Sequence, residues 1–291
     1  MERRPALILF SHGSVLCGFR NPVDKHENGL ADSGEWAIVR TAFLNYVQPD
    51  LITVVRECSA IASHIVVQPF FLTAGAFVLD RVKAAVQEAR ALFPDCRIVL
   101  AAALTDHPAV GEAVMECLAL VAKEGDIARE KSCLLRAGCP LYTPGVNGEN
   151  ATCANAGTTR QNLWGPVARE PQAALLVAHG SKLPQADDCM ENLGRFVEQQ
   201  IGLKTRLAYL DCHGPTIGEA LAEMHSRGAN SFVCVPCFLH EGRHSWLDVP
   251  AALSEFHQVY PETYLMLTTA LGAMPAIEKA LHGRSLEARL F

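Results

Sequence analysis

The sequence predicts an α/β protein made of two duplicated domains, each a mostly four-stranded parallel sheet with helices on both faces. Two observations carry that expectation. Short runs that are apolar throughout alternate with stretches of helical periodicity, the pattern of a parallel sheet covered on both sides. The same pattern also occurs twice in register. His12-Gly13-Ser14 follows the apolar run from Ala6 to Phe10, and His179-Gly180-Ser181 follows the run from Ala173 to Val177, an offset of 167 positions. That offset returns from Pro69 to Pro236, Gly75 to Gly242, Pro94 to Pro261, Leu104 to Leu271 and Pro108 to Pro275. Pro49 to Pro215 and Ala42-Phe43-Leu44 to Ala208-Tyr209-Leu210 are offset by 166, which one small indel explains. Chance does not hold register over such a span, and the chain reads as a tandem duplication.

The elements follow in order. In the first copy, strands are expected near residues 6 to 11, 38 to 44, 64 to 70 and 97 to 103. Asn21 to Glu35 is polar and charged and reads as a solvated loop, or as a mobile flap beside a cleft. In the second copy the first strand is Ala173 to Ala178, followed by a helix reaching Gln200 with Met190, Leu193 and Val197 at helical spacing. Lys204 to Leu210 is the second strand. Ile217, Ala220, Leu221 and Met224 form one face of the next helix, which stops near Arg227-Gly228. Phe232 to Cys237 is the third strand, Trp246 to Gln258 a helix, Tyr264 to Thr269 the fourth strand, and Pro275 to Leu281 a last helix with proline in its first turn. Between the copies, the turn-rich Pro144-Gly145-Val146-Asn147-Gly148 marks a linker. The expected division is 1–125, a linker at 126–170, and 171–291.

Composition narrows the function. A hydrophobic share of 49% with 19% charged residues describes a globular chain, and a net charge of −6 with no basic run beyond Arg3-Arg4 argues against nucleic acid. No apolar stretch approaches the about 20 residues of a membrane span, so a cytoplasmic protein is expected. Eleven cysteines without a secretory signal point away from a disulfide framework. Cys234 and Cys237 fall in a buried strand on opposite faces, as packing residues and not a redox pair. Cys133, Cys139 and Cys153 lie in polar, glycine-rich sequence, where a metal or cluster is the other reading.

The chemistry centres on His179 and His244, each just past a strand, where loops of a parallel sheet form ligand crevices. They are 65 positions apart, and the same step from His12 lands on Phe77, so only the second copy has two imidazoles. Imidazole binds first-row metals and accepts protons near neutral pH. Gly180 and Gly242 leave room for close backbone approach, and Ser181 either caps the following helix or contacts a ligand. Lys182 and Arg243 favour an anionic partner, and Asp248 either orients an imidazole or caps a helix. A hydrolase using Ser14 or Ser181 is poorer, because neither stands in Gly-x-Ser-x-Gly.

Taken together, His179-Gly180-Ser181, Ala208-Tyr209-Leu210-Asp211, Pro215, Pro236-Cys237-Phe238-Leu239-His240-Glu241-Gly242-Arg243-His244 and Asp248-Val249-Pro250 resemble the sirohydrochlorin chelatases of the class II chelatase superfamily. Both copies share the resemblance, the first as a divergent branch. It implies two chelatase-like domains that insert cobalt or iron into sirohydrochlorin or a related carboxylated tetrapyrrole, in cobalamin or sirohaem synthesis. His179 and His244 would hold the metal and accept protons, with His12 facing the same cleft. Lys182, Arg243, Ser181 and Ser14 would contact substrate. Beyond the substrate metal no cofactor is implied, and a monomer or homodimer is expected. The alternative is a metal or tetrapyrrole carrier without turnover.

Overall fold

The first repeat runs β1 (Ala6–Ser11), α1 (Asn21–Asp32), β2 (Ile38–Phe43), α2 (Leu51–Ser59), β3 (His64–Pro69), α3 (Ala76–Leu92), β4 (Arg97–Leu100) and α4 (Pro108–Val121) in the computed structural model. After it come β5 (Tyr142–Thr143), β6 (Thr152–Cys153) and β7 (Leu163–Trp164). The second repeat is β8 (Ala173–Ala178), α5 (Pro184–Ile201), β9 (Lys204–Tyr209), α6 (Ile217–Ser226), β10 (Ser231–Pro236), α7 (Val249–Val259), β11 (Tyr264–Leu267) and α8 (Pro275–Arg289). The structure describes residues 4–14, 19–72, 76–121, 142–143, 152–153, 163–165, 170–181 and 184–290, without side chains at 76–78, 121, 142–143, 152–153 and 184–186.

The two sheets have one topology. The first is β2-β1-β3-β4, all parallel, and the second is β9-β8-β10-β11 with β7 added antiparallel on the far edge. The duplicated α/β fold expected from the register is therefore present, with one departure. The stretch between the repeats is not wholly outside the sheets, since Leu163–Trp164 pairs with β11 and Trp164 is buried in the second repeat's outer core.

Strand periodicity explains the layering. Along β1, Leu7 and Leu9 enter a central core, whereas Ala6, Ile8 and Phe10 enter an outer one against α2 and α3. In the second repeat Leu176 faces the central core and Leu175 and Val177 the outer one, against α6 and α7. The central core is common to both repeats, filled by Val23 and Leu30 of α1, Val110 and Val114 of α4, Met190 and Val197 of α5, and Ile277 and Leu281 of α8. Each buried aliphatic side chain of this kind stabilises by about 1.5–3 kcal/mol.

The last helices are exchanged. Helix α4, at the end of the first repeat, packs on β10 and α5, while α8 packs on β3 and β4, and the two pack on each other. Ser285 of α8 donates to the Gln68 side chain of β3 at 3.3 Å, and the Cys117 thiol of α4 donates to the Thr269 carbonyl at 3.7 Å. Among the described residues, each helix packs chiefly on the other repeat's sheet.

Three expectations are corrected. Asn21 to Glu35 is neither loop nor flap over most of its length. It is helix α1, which buries Pro22, Val23, His26 and Leu30. His26 is buried because the other repeat supplies its partners, the Gly272 carbonyl 2.6 Å from Nε2 and the Glu278 carboxylate 3.2 Å from Nδ1. The helix expected from Trp246 to Gln258 begins as a π-helical turn over His244–Asp248 before α7, and α8 continues to Arg289, past the expected end at Leu281. Cys234 and Cys237 are buried on opposite sides, in the outer and central cores, and burial pushes both thiols up, Cys234 to about 12. Packing accounts for them. The side chains of Cys133, Cys139 and Cys153 lie outside the described residues. Among the described residues, no helix is long and apolar enough to cross a membrane.

Candidate metal-handling site

The backbone places His179. Leu210 N–H donates to the Ala178 carbonyl at 3.0 Å and Asp211 N–H to the His179 carbonyl at 2.9 Å, so pairing of β8 with β9 continues past the strands. Gly180 then turns the chain at φ +94°, where a Cβ would lie 2.1 Å from the Asp211 carbonyl oxygen. Only glycine fits there. The first repeat copies this arrangement, with Asn45 N–H on the His12 carbonyl at 2.9 Å and a Cβ on Gly13 falling 2.0 Å from the Asn45 oxygen. Gly242 differs from expectation. Nothing lies within 4 Å of a Cβ there, so no close backbone approach requires glycine.

The other imidazole comes from the π-helical turn, closed by Val249 N–H on the His244 carbonyl, five residues back. Such turns often mark functional sites. His244 Nδ1 donates to Asp248 Oδ2 at 2.7 Å, and Arg243 Nε donates to Oδ1 of the same carboxylate at 3.3 Å. Asp248 makes no capping bond to α7, so of its two readings the structure carries the orienting one. With Nδ1 protonated, the Nε2 lone pair of His244 is left for a ligand. The His179 and His244 rings stand edge to face, their centroids 5.1 Å apart. His179 is exposed, and its ring takes no hydrogen bond among the described residues.

His12 is placed differently. Its Nδ1 donates to the Gly13 carbonyl at 3.0 Å and its Nε2 accepts from the Asn45 amide at 3.3 Å, while Arg81 holds the Asn45 oxygen at 2.5 Å. Both its nitrogens are engaged. At the matching position of the second repeat, Asp211 turns its carboxylate to the Cys212 N–H at 2.7 Å and leaves the His179 ring alone. Ser181 is buried and Ser14 half-buried; the Arg243 side chain is 73% exposed. Lys182 and the Phe77 side chain lie outside the described residues. Among the described residues, no cluster of three or more His, Cys, Asp or Glu side chains is arranged to hold a metal. A metal held by the imidazole pair alone would keep most of its coordination sphere open.

Two histidines escaped sequence reasoning. His240 was visible only as part of a motif. It accepts from Ser11 Oγ at 3.0 Å and donates to the Phe19 carbonyl at 2.9 Å, stacked on the Phe19 ring at 3.7 Å. Burial pushes its pKa down to about 4, so it is a neutral pin between the repeats. No local signal identifies it, because its partners come from the other repeat. His213 pairs with Asp187 at 3.1 Å; the repeat register, which sets Val47 opposite it, was an available signal. A cavity of about 520 Å³ between α6 and α7, lined by Tyr209, Leu210, Ile217, Phe256 and Tyr260 among others, contains no imidazole.

The fold and the site define a class: a duplicated parallel α/β protein with a paired-imidazole site at strand ends in one repeat. The CbiX family model matches residues 6–119 and 173–288, and the chain belongs to that family. Curated relatives include the sirohydrochlorin cobaltochelatase of Methanopyrus kandleri, 33% identical over 82 residues, covering 28% of this chain and 57% of that protein. The sirohydrochlorin cobaltochelatase of Saccharolobus islandicus (strain L.S.2.15) is 34% identical over 79 residues, 27% of this chain and 61% of that protein. The chain thus spans under two thirds of the length of the curated relatives it matches. Among solved structures, the sirohydrochlorin chelatase SirB from Bacillus subtilis subspecies spizizenii in complex with cobalt superposes with a TM-score of 0.71 at 15% identity, over 100% of this chain and 96% of that one. DR2241 from Deinococcus radiodurans, a multi-domain protein, superposes at 0.65 with 16% identity, over 98% of this chain and 55% of that one. At these identities the superpositions show the shared fold.

Proposed function

We propose that this protein inserts a divalent metal, cobalt or iron, into sirohydrochlorin or a related carboxylated tetrapyrrole, in cobalamin or sirohaem biosynthesis. The observation that carries the reading is the facing pair His179 and His244, with His244 oriented by Asp248. The metal is a substrate that must be given up, and structural sites that keep a metal surround it with four protein ligands. Two imidazoles hold it more loosely and leave room for the macrocycle nitrogens. Insertion also releases two pyrrole N–H protons, and imidazole takes protons near neutral pH. Arg243 reaches outward from its anchor on Asp248 and, with Lys182, meets substrate carboxylates. Ser181 and Ser14 contact substrate, and His12 faces it from the first repeat. The relatives' printed activities support this reading.

The test offers the purified protein sirohydrochlorin with cobalt, iron or nickel and follows insertion spectroscopically. Acceleration over the metal-only background, sustained over repeated turnovers, is expected. Stoichiometric binding without released product would replace the reading with a carrier.

A further inference from the structure

His213 stands on the loop after β9, outside the imidazole pair. Its Nδ1 lies 3.1 Å from the Gly214 carbonyl and its Nε2 lies 3.1 Å from Asp187 Oδ2. A carbonyl oxygen and an ionised carboxylate can only accept, so this setting favours the imidazolium, which carries hydrogen on both nitrogens. The Gly214 carbonyl foremost pushes its pKa up; burial opposes it, and Asp187 adds to the rise. Asp187 comes from α5; Tyr209 comes from β9, its centroid 4.3 Å away, and burial keeps its phenol neutral by pushing it up to about 12. Asp211, on the same loop, is committed to the Cys212 N–H.

These contacts span the catalytic strand end. The loop that carries His213 also holds the His179 carbonyl through Asp211 N–H, and Asp187 lies in the first turn of α5, just beyond Ser181. We propose that protonated His213 is a positioning residue, a clasp that ties the β9 loop to α5 and so fixes the stretch carrying His179 and Ser181. In the first repeat, which lacks the second imidazole, the matching position is Val47 and no such clasp can form. Metal capture therefore depends on a proton held outside the ligand pair. Alkali weakens capture by releasing the clasp. This rests on the reading of His179 and His244 as the metal-handling pair.

The experiment uses the full chain and Co2+ alone, with affinity followed by visible absorption across and above the imidazole range, and with His213 protonation read by imidazole ¹⁵N NMR. Both His213 nitrogens are expected to carry hydrogen at neutral pH, and Co2+ affinity is expected to fall as His213 deprotonates. Asp187→Asn moves that fall to lower pH. His213→Val, which copies the first repeat, weakens Co2+ binding by about tenfold, the lower end of the usual effect of a supporting residue. His213→Gln donates to Asp187 at every pH, so it restores binding to within about threefold of the parent and abolishes the alkaline fall. Its restored binding also excludes misfolding as the cause of the valine result. A singly protonated His213 at neutral pH, or unchanged affinity in both Asp187→Asn and His213→Val, overturns the clasp. If the parent binds Co2+ as described but inserts no metal into a tetrapyrrole, the chelatase reading fails and the clasp stands.

Discussion

At the residue scale, His244 depends on Asp248. The carboxylate fixes the tautomer of His244, and a positioned carboxylate of this kind typically changes metal affinity by 10- to 100-fold. Asp248→Ala is accordingly expected to weaken Co2+ binding by about that factor in a titration, while the protein keeps its circular dichroism spectrum. His240 makes a second prediction, on stability. In the unfolded chain it takes up a proton below about pH 6.5, but in the folded protein only near pH 4. The stability linked to this neutral histidine is therefore complete above about pH 6.5 and is lost as pH falls toward 4, by up to roughly 3 kcal/mol. Urea melts at neutral pH and near pH 4.5 should differ less for His240→Gln than for the parent; an equal drop would show that the burial of His240 is not the cause. His179 and His244 were legible because each follows an apolar run at a strand end. The partners of His240 were not, since Ser11 and Phe19 are more than two hundred positions away. Asp248 was half legible: its spacing from His244 suits both an ion pair and a cap, and only the π-helical turn decides between them.

At the scale of elements, the His-Gly-Ser turn is a backbone device before it is a chemical one. Gly180→Ala would press a Cβ against the Asp211 oxygen in a conformation unfavourable for L-residues, costing about 2 kcal/mol or more and displacing His179. Gly242→Ala meets open space and should change stability by less than about 0.5 kcal/mol. Chemical denaturation of the two variants gives the contrast directly; equal effects would contradict the assigned backbone contact. The strands are legible because apolar runs with both faces buried announce themselves. Helix α1 is not legible in the sequence, for a physical reason. Its inward stripe includes a histidine, and nothing in the local sequence says that Gly272 and Glu278 wait on the other repeat to receive it.

At the scale of the whole molecule, the repeats are joined by a common core and by exchange of α4 and α8. The register of prolines and glycines made the duplication legible, but an amphipathic helix does not specify which sheet it covers, so the exchange was not. Residues 171–291 alone would leave exposed the face of β10 that α4 covers, and size-exclusion chromatography should find that fragment associated or aggregated, not a stable monomer. The first repeat thus supports the second even though its own His12 is held by Asn45 and its second imidazole is replaced by Phe77. One working site per chain is the central claim, and the most direct measurement is cobalt and iron insertion into sirohydrochlorin by the parent and by a variant with both His179→Ala and His244→Ala. The parent should accelerate insertion with at least one metal and the double variant should fall to the metal-only background; no acceleration by the parent, or undiminished insertion by the double variant, would contradict it.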